Sequence, residues 1–300
     1  MEVELKLIGV YFTIMSKINS NLAAEQAFKL FQKPRKIPFK KREQKFFDTA
    51  NRFTVDSGMG EIMCYDIGKP DGEIVFLVHG WDSNAGSMSG IGTALAGQGY
   101  YVVSFDLPAH GMSKEKYANL LTSKIAMKAV VNRVKTDKPI SVVSHSFGSF
   151  VTAIALSEMN VVVKNLIYLT TPDKAPTIFE YYRDLIKLGD KPYQLMVKKA
   201  EELLNAPLES MNVLEKTSLI TFEKLTLIHD KHDKILPYEN SLNLNLKISN
   251  SELISFEKVG HYRMLWNEQV IEKISKLMQR PKVFSSAPTE EKALVVQKEP

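Results

Sequence analysis

Six histidines, at positions 79, 110, 145, 229, 232 and 261, carry most of the chemical potential of this 300-residue chain. Each falls at or just past the C-terminal end of an apolar, strand-like run, and none lies in the first 78 residues. Hydroxyl and carboxylate side chains share those places: Ser144-His145-Ser146-Phe147-Gly148 follows one run, Asp106 and His110 follow another, and Asp230 and Asp233 flank His232 after a third. A serine hydroxyl is a weak nucleophile near neutral pH. An imidazole that takes its proton, oriented by a carboxylate, makes it able to attack an acyl carbonyl. The rival chemistry is a metal site, since His229, Asp230, His232 and Asp233 are all ligand types. That segment reads as a strand end and loop, however, and lacks the His-x-x-x-His spacing of a helical site.

The elements that must hold these residues can be read from hydrophobic patterning. Residues 74–79, 100–105, 140–143, 166–169, 225–228 and 253–256 are continuous apolar runs, as expected of strands buried on both faces of a parallel sheet. Helix-like stretches at 85–97, 118–135, 150–159 and 268–278 alternate with them. The expected fold class is therefore α/β, a mostly parallel, doubly wound sheet. Residues 52–55 and 62–67, separated by the turn-rich 56–60, suggest an antiparallel hairpin ahead of it. The gap from 172 to 224 is too long for a simple crossover, and its amphipathic stretches at 177–188 and 192–204 suggest an inserted helical cap. The expected organisation is an N-terminal helical extension (1–50), a core (51–171 and 225–280), the cap (172–224), and a polar, Pro-bearing tail (281–300) expected to be disordered. In such sheets ligands bind outside the carboxyl ends of the strands, where all six histidines fall.

Ser144-x-Ser146-x-Gly148 sits between a buried strand and a helix, the context of a nucleophile elbow, whose tight turn requires small residues two positions either side. With this motif the chain resembles the α/β-hydrolase superfamily over about residues 50–275. The departure is Ser144 in place of the first glycine of G-x-S-x-G. The resemblance implies Ser146 as nucleophile, His261 of Gly260-His261 as general base, and Asp233 as the orienting acid, in the order along the chain typical of that superfamily. Asp230 stands where the family has glycine, so an exchange of roles between the two carboxylates stays open. His79-Gly80-Trp81 resembles the family's oxyanion loop, which implies the backbone N–H groups of Trp81 and Phe147 as oxyanion donors. Asp106-x-Pro-x-His110-Gly-x-Ser113 resembles a supporting loop, and His79, Gly80, His145, Asp106 and His110 are assigned to the pocket or its support. The serine at the elbow departs from the dehalogenase and epoxide-hydrolase relatives, which carry aspartate. The implied activity is hydrolysis of a small or medium carboxylic ester through an acyl-enzyme, with no cofactor and no metal. A thioesterase or other acyl-transfer enzyme with the same triad, and a non-catalytic binding module on this scaffold, are the alternatives.

Composition narrows the partners. The formal charge of +5 with 44% hydrophobic residues is ordinary for a globular protein and gives no reason to expect nucleic-acid binding. The lone Cys64 cannot form an internal disulfide and reads as a small buried hydrophobe rather than a reactive thiol. Residues 7–15 are apolar, but Glu2 and Glu4 precede them, unlike the basic start of a signal peptide, and the run is far short of the ~20 residues of a membrane span. The expected reading is a helix docked on the body of a cytoplasmic protein acting on a small-molecule ester. Eight basic residues against one Glu in 29–45 keep a weak peripheral membrane contact open. The oligomeric state is not encoded in any of these features.

Overall fold

The computed structural model describes residues 2–279. The stretch 281–300, expected to be a disordered tail, lies outside the described residues. Three helices open the chain: α1 (Glu2–Ile18), α2 (Ser20–Phe31) and α3 (Lys41–Thr49). There follow β1 (Asn51–Asp56), β2 (Glu61–Gly68), β3 (Ile74–Val78), α4 (Ser89–Gly97), β4 (Tyr101–Phe105), α5 (Leu120–Val134), β5 (Ile140–His145), α6 (Phe147–Leu156) and β6 (Val162–Leu169). The helices α7 (Ala175–Leu185), α8 (Asp190–Leu204) and α9 (Val213–Ser218) precede β7 (Thr221–Asp230), α10 (Tyr238–Lys247), β8 (Ser251–Phe256) and α11 (Glu268–Leu277).

The strands form one eight-stranded sheet in the order β1-β2-β4-β3-β5-β6-β7-β8. β1 and β2 pair antiparallel, β2 joins β4 antiparallel, and all further pairings are parallel. The continuous apolar runs follow from burial on both faces. In β3, Val75 and Leu77 pack with α4 and α11 through Ile91, Leu95, Val270 and Ile274, while Phe76 and Val78 pack with α5 and α6 through Met127, Val130, Phe150 and Ile154. Cys64, on β2, is fully buried, and burial pushes its thiol up to about 12, which keeps it protonated and inert.

Two local findings differ from the sequence pattern. Helix α3 lies in the basic run, where charge hides the apolar side chains; its Phe46 and Phe47 pack on Tyr65 and Ala85, and buried Glu43 accepts from the Lys40 amide at 2.9 Å. Helix α6 starts at Phe147 rather than 150, because the chain reverses within the single residue Ser146.

The N-terminal helices pack on α7 and α8. Ala23, Ala24 and Ala27 of α2 are fully buried, and such small side chains allow close helix approach. Tyr182 Oη donates to the Ala27 carbonyl at 3.0 Å, and the Gly189 amide donates to Ser16 Oγ at 2.9 Å.

Candidate active site

Ser146, between β5 and α6, has φ +53° and ψ −122°, a strained backbone for a residue with a side chain. The strain is maintained by what surrounds the turn. The Ser146 amide donates to the Leu169 carbonyl of β6 at 2.9 Å, and its carbonyl accepts from Ser149 at 2.9 Å. Gly148 passes so close to β3 that a Cβ there would lie 2.4 Å from the Val78 carbonyl oxygen and 2.5 Å from that of His79. Ser144, in the family's glycine position, is fully buried, and its Oγ lies 3.3 Å from Ser149 Oγ.

The loops after β7 and β8 bring two more groups to this point. His261 Nε2 lies 3.1 Å from Ser146 Oγ, and His261 Nδ1 lies 2.8 Å from Asp233 Oδ2. A carboxylate only accepts, so Nδ1 carries the proton and donates, leaving Nε2 as the acceptor that faces the serine hydroxyl. Asp233 Oδ1 accepts from the amides of Ile235 and Leu236 at 2.8 and 3.2 Å. Burial raises the Asp233 pKa, but hydrogen bonds from His229 and His261 outweigh it and hold the carboxyl well below the usual range.

Asp230 faces elsewhere. Its fully buried carboxylate accepts from the His232 amide at 2.8 Å and from the Gly260 amide, which ties the end of β7 to the loop bearing His261. His229 Nδ1 lies 2.7 Å from Ser241 Oγ, while the His232 side chain is 63% exposed. Asp230 and Asp233 thus serve different partners, and among the described residues no three His, Cys, Asp or Glu side chains gather in a metal-holding group.

The other predicted residues lie at the ends of β3 and β5 and on the loop after β4. Gly80 is buried beside His145 and Ser146. His79 Nδ1 donates to the Gly80 carbonyl at 2.7 Å and its Nε2 accepts from the Leu107 amide at 3.0 Å, pinning β3's end to the loop after β4. Asp106 accepts from the Ala85 and Met112 amides, both at 2.8 Å, and from Tyr65 Oη at 3.1 Å. Burial outweighs these bonds and lifts its carboxyl to about 6. His110 and His145 are buried, with pKa values lowered by desolvation to about 4 and about 3. His79, Asp106, His110 and His145 are each no more than 1% exposed.

Trp81 and Phe147 are half-buried, and their rings meet edge to face at 5.2 Å. Among the described residues neither backbone amide has a protein acceptor. Two contacts here were not visible in the sequence. Phe31 at the end of α2 stacks toward Trp81 at 6.5 Å and packs on Phe179 and Tyr182 at 4.7 and 4.9 Å. Arg35 donates through its amide and Nε to the two carboxylate oxygens of Asp82, both at 2.7 Å, immediately after Trp81. Nothing in the spacing of the basic run distinguishes Arg35 from its neighbours.

Comparison with known proteins agrees with this architecture. A human serine hydrolase-like protein is 29% identical over 140 residues, which cover 43% of this chain and 67% of that protein. Among solved structures, esterase Pf2001 of Pyrococcus furiosus is 22% identical with a TM-score of 0.61, covering 82% of this chain and 95% of that one. Est1E of Butyrivibrio proteoclasticus, solved with ferulic acid bound, is 20% identical with a TM-score of 0.62, covering 75% and 97%. At these identities the structural likeness speaks for the fold alone. The model of the alpha/beta hydrolase family, however, matches residues 75–270, spanning every strand from β4 to β8, the elbow and both loops that meet it. The chain belongs to the alpha/beta hydrolase family.

Proposed function

We propose that this protein is a serine hydrolase that cleaves a carboxylic ester through an acyl-enzyme on Ser146. The observation that carries the reading is the unbroken line of hydrogen-bond contacts from Ser146 Oγ through the His261 ring to Asp233, at 3.1 and 2.8 Å. Ser146 Oγ attacks the ester carbonyl carbon while His261 Nε2 takes its proton. Asp233 keeps the proton on Nδ1 and stabilises the imidazolium that forms. The carbonyl oxygen becomes an oxyanion that accepts from the amides of Trp81 and Phe147, donors of a kind worth ~3–4 kcal/mol each in the transition state. Collapse expels the alcohol, protonated by His261. Water, deprotonated by the same imidazole, then attacks the acyl-enzyme and releases the acid.

The aromatic line Phe147–Trp81–Phe31–Phe179, running from the residue after the nucleophile to the cap helix α7, supports an apolar acyl or alcohol part in the substrate. The test is covalent labelling with a fluorophosphonate probe alongside hydrolysis of p-nitrophenyl esters of increasing chain length. Ser146→Ala should abolish both signals while the melting temperature stays within a few degrees of the parent. Full activity or labelling in that variant would overturn the assignment, and a wild-type protein that reacts with neither reagent would be a binding module. Parallel assay of esters, thioesters and amides identifies the leaving group.

A further inference from the structure

Asp82 follows Trp81 directly and has φ +52°, the left-handed region that a residue with a side chain enters at a cost. Its neighbours are anchored elsewhere: His79 before it bonds to the Gly80 carbonyl and the Leu107 amide, and Ala85 after it donates to Asp106. Between these two anchors each oxygen of the Asp82 carboxylate accepts from Arg35, Oδ1 from the amide and Oδ2 from Nε. Arg35 stands in 33–40, which run without regular structure from α2 to α3. The stretch is itself fixed at its start, where Pro34 is buried, the Gln32 carbonyl accepts from the Ala118 amide at 2.8 Å, and Phe31 stacks toward the Trp81 ring.

The Arg35 side chain is 61% exposed and that of Asp82 15%, and an ion pair so placed adds little to folding stability. Its effect is local. A peptide group is planar, so the direction of the Trp81 N–H is set by the backbone torsions around it. Gly80, one residue upstream, has no side chain to restrict those torsions, and the hold on Asp82 restrains them from the other side. A group misplaced by ~1 Å can cost ~100-fold in rate. The pairing also balances a carboxylate borne next to the oxyanion donor, where an uncompensated negative charge would oppose the one that develops.

We propose that Arg35 is a positioning residue: through Asp82 it aims the Trp81 amide at the oxyanion and balances the charge beside that amide. The proposal rests on the serine-hydrolase reading above. Steady-state kinetics on a p-nitrophenyl ester test it, together with binding of a trifluoromethyl ketone, whose adduct with Ser146 carries the oxyanion. Arg35→Ala should lower kcat by about 10- to 100-fold and weaken the ketone by the same factor, with KM and the melting temperature nearly unchanged. Such a split marks an interaction made only in the transition state. Arg35→Lys, which keeps the charge without the fork, should recover part of the loss. Because both substitutions break one pairing, Arg35→Ala/Asp82→Asn should be no worse than Arg35→Ala alone. Lys36→Ala, in the same basic run, should match the wild type. Parental kcat in Arg35→Ala overturns the proposal, as does a loss of kcat that tracks a lowered melting temperature. So do multiplied losses in the double variant, or an equal loss in Lys36→Ala. A wild type that reacts with neither the ester nor a fluorophosphonate fails the hydrolase reading itself, and this proposal with it.

Discussion

His145 Nε2 donates a hydrogen bond to the backbone carbonyl of His261 at 3.1 Å. The residue next to the elbow serine therefore holds the main chain of the imidazole that faces that serine. A carbonyl can only accept, so the His145 proton sits on Nε2, and desolvation keeps the ring neutral by lowering its pKa to about 3. The two rings lie 4.9 Å apart, so His145 also limits where the His261 ring can swing.

On the proposed mechanism, His145 acts as a positioning residue. Its replacement by alanine should lower kcat by about 10- to 100-fold with little change in KM, because small displacements of reacting groups carry penalties of that order. His145→Gln, which retains a donor, should recover part of the loss. Steady-state kinetics on a p-nitrophenyl ester separates the two parameters. An alanine variant with parental kcat would show that the bond holds nothing of consequence.

The two acidic residues after β7 should separate by phenotype. Asp233→Asn presents an amide to His261 Nδ1, favours the wrong tautomer, and should cut kcat by about 10⁴-fold while leaving the fold intact. Asp230→Asn should act chiefly on stability, because it disturbs the bonds to the Gly260 and His232 amides, at a cost of about 1–3 kcal/mol. Thermal melts and kinetics on both variants check this, and a reversed pattern would exchange the roles of the two carboxylates.

Gly148→Ala should be severe despite adding one methyl group. The Cβ would lie within 2.5 Å of two carbonyl oxygens of the β3 end, and backbone cannot yield as a flexible side chain does. The expected result is a melting temperature lowered by several degrees and kcat reduced along with it, because the elbow must shift. Gly97→Ala, where a Cβ meets nothing within 4 Å, is the control and should be neutral or slightly stabilising.

Acid should destabilise the fold through its buried neutral histidines. Desolvation lowers His79, His110 and His145 below the ordinary 6.5, the last two to about 4 and about 3. As pH falls below 6.5 the unfolded chain takes up protons that the folded chain refuses. Stability is thus whole above 6.5 and falls by up to about 1.4 kcal/mol per pH unit for each histidine until its folded pKa is reached. Asp106 has the opposite sign: raised from 3.8 to about 6, its carboxyl keeps a proton in the folded state across that interval, which offsets one histidine there. Urea unfolding at pH 7, 6 and 5, conditions chosen to bracket this window, should show a steep loss that His110→Gln makes shallower. An unchanged slope would mean that His110 is not excluded from protonation.

Much of the scaffold was legible because its cause is local. Residues 74–79 and 140–143 read as buried strands since both faces of β3 and β5 meet helices, and glycine at 148 was expected from the tightness of the turn. What escaped the sequence depends on distant partners. Helix α3 looked like a solvated basic run because Phe46 and Phe47 bury against Tyr65, beyond any local window. The resemblance points to Asp233 but leaves an exchange with Asp230 open, because both carboxylates meet the loop after β8 and the outcome turns on which of them reaches the His261 ring. Phe31 and Arg35 could not be tied to Trp81 and Asp82, about fifty positions downstream, by any spacing rule.

The double bond of Arg35 to Asp82 has a practical corollary. The recognised family span begins at residue 75, and trimming to such limits is a common route to a minimal catalyst. A fragment cut there would retain serine, histidine and aspartate yet forfeit β1, β2, the ring of Phe31 and the clasp on the loop after Trp81. In this molecule residues near the start of the sequence brace the loop that carries Trp81.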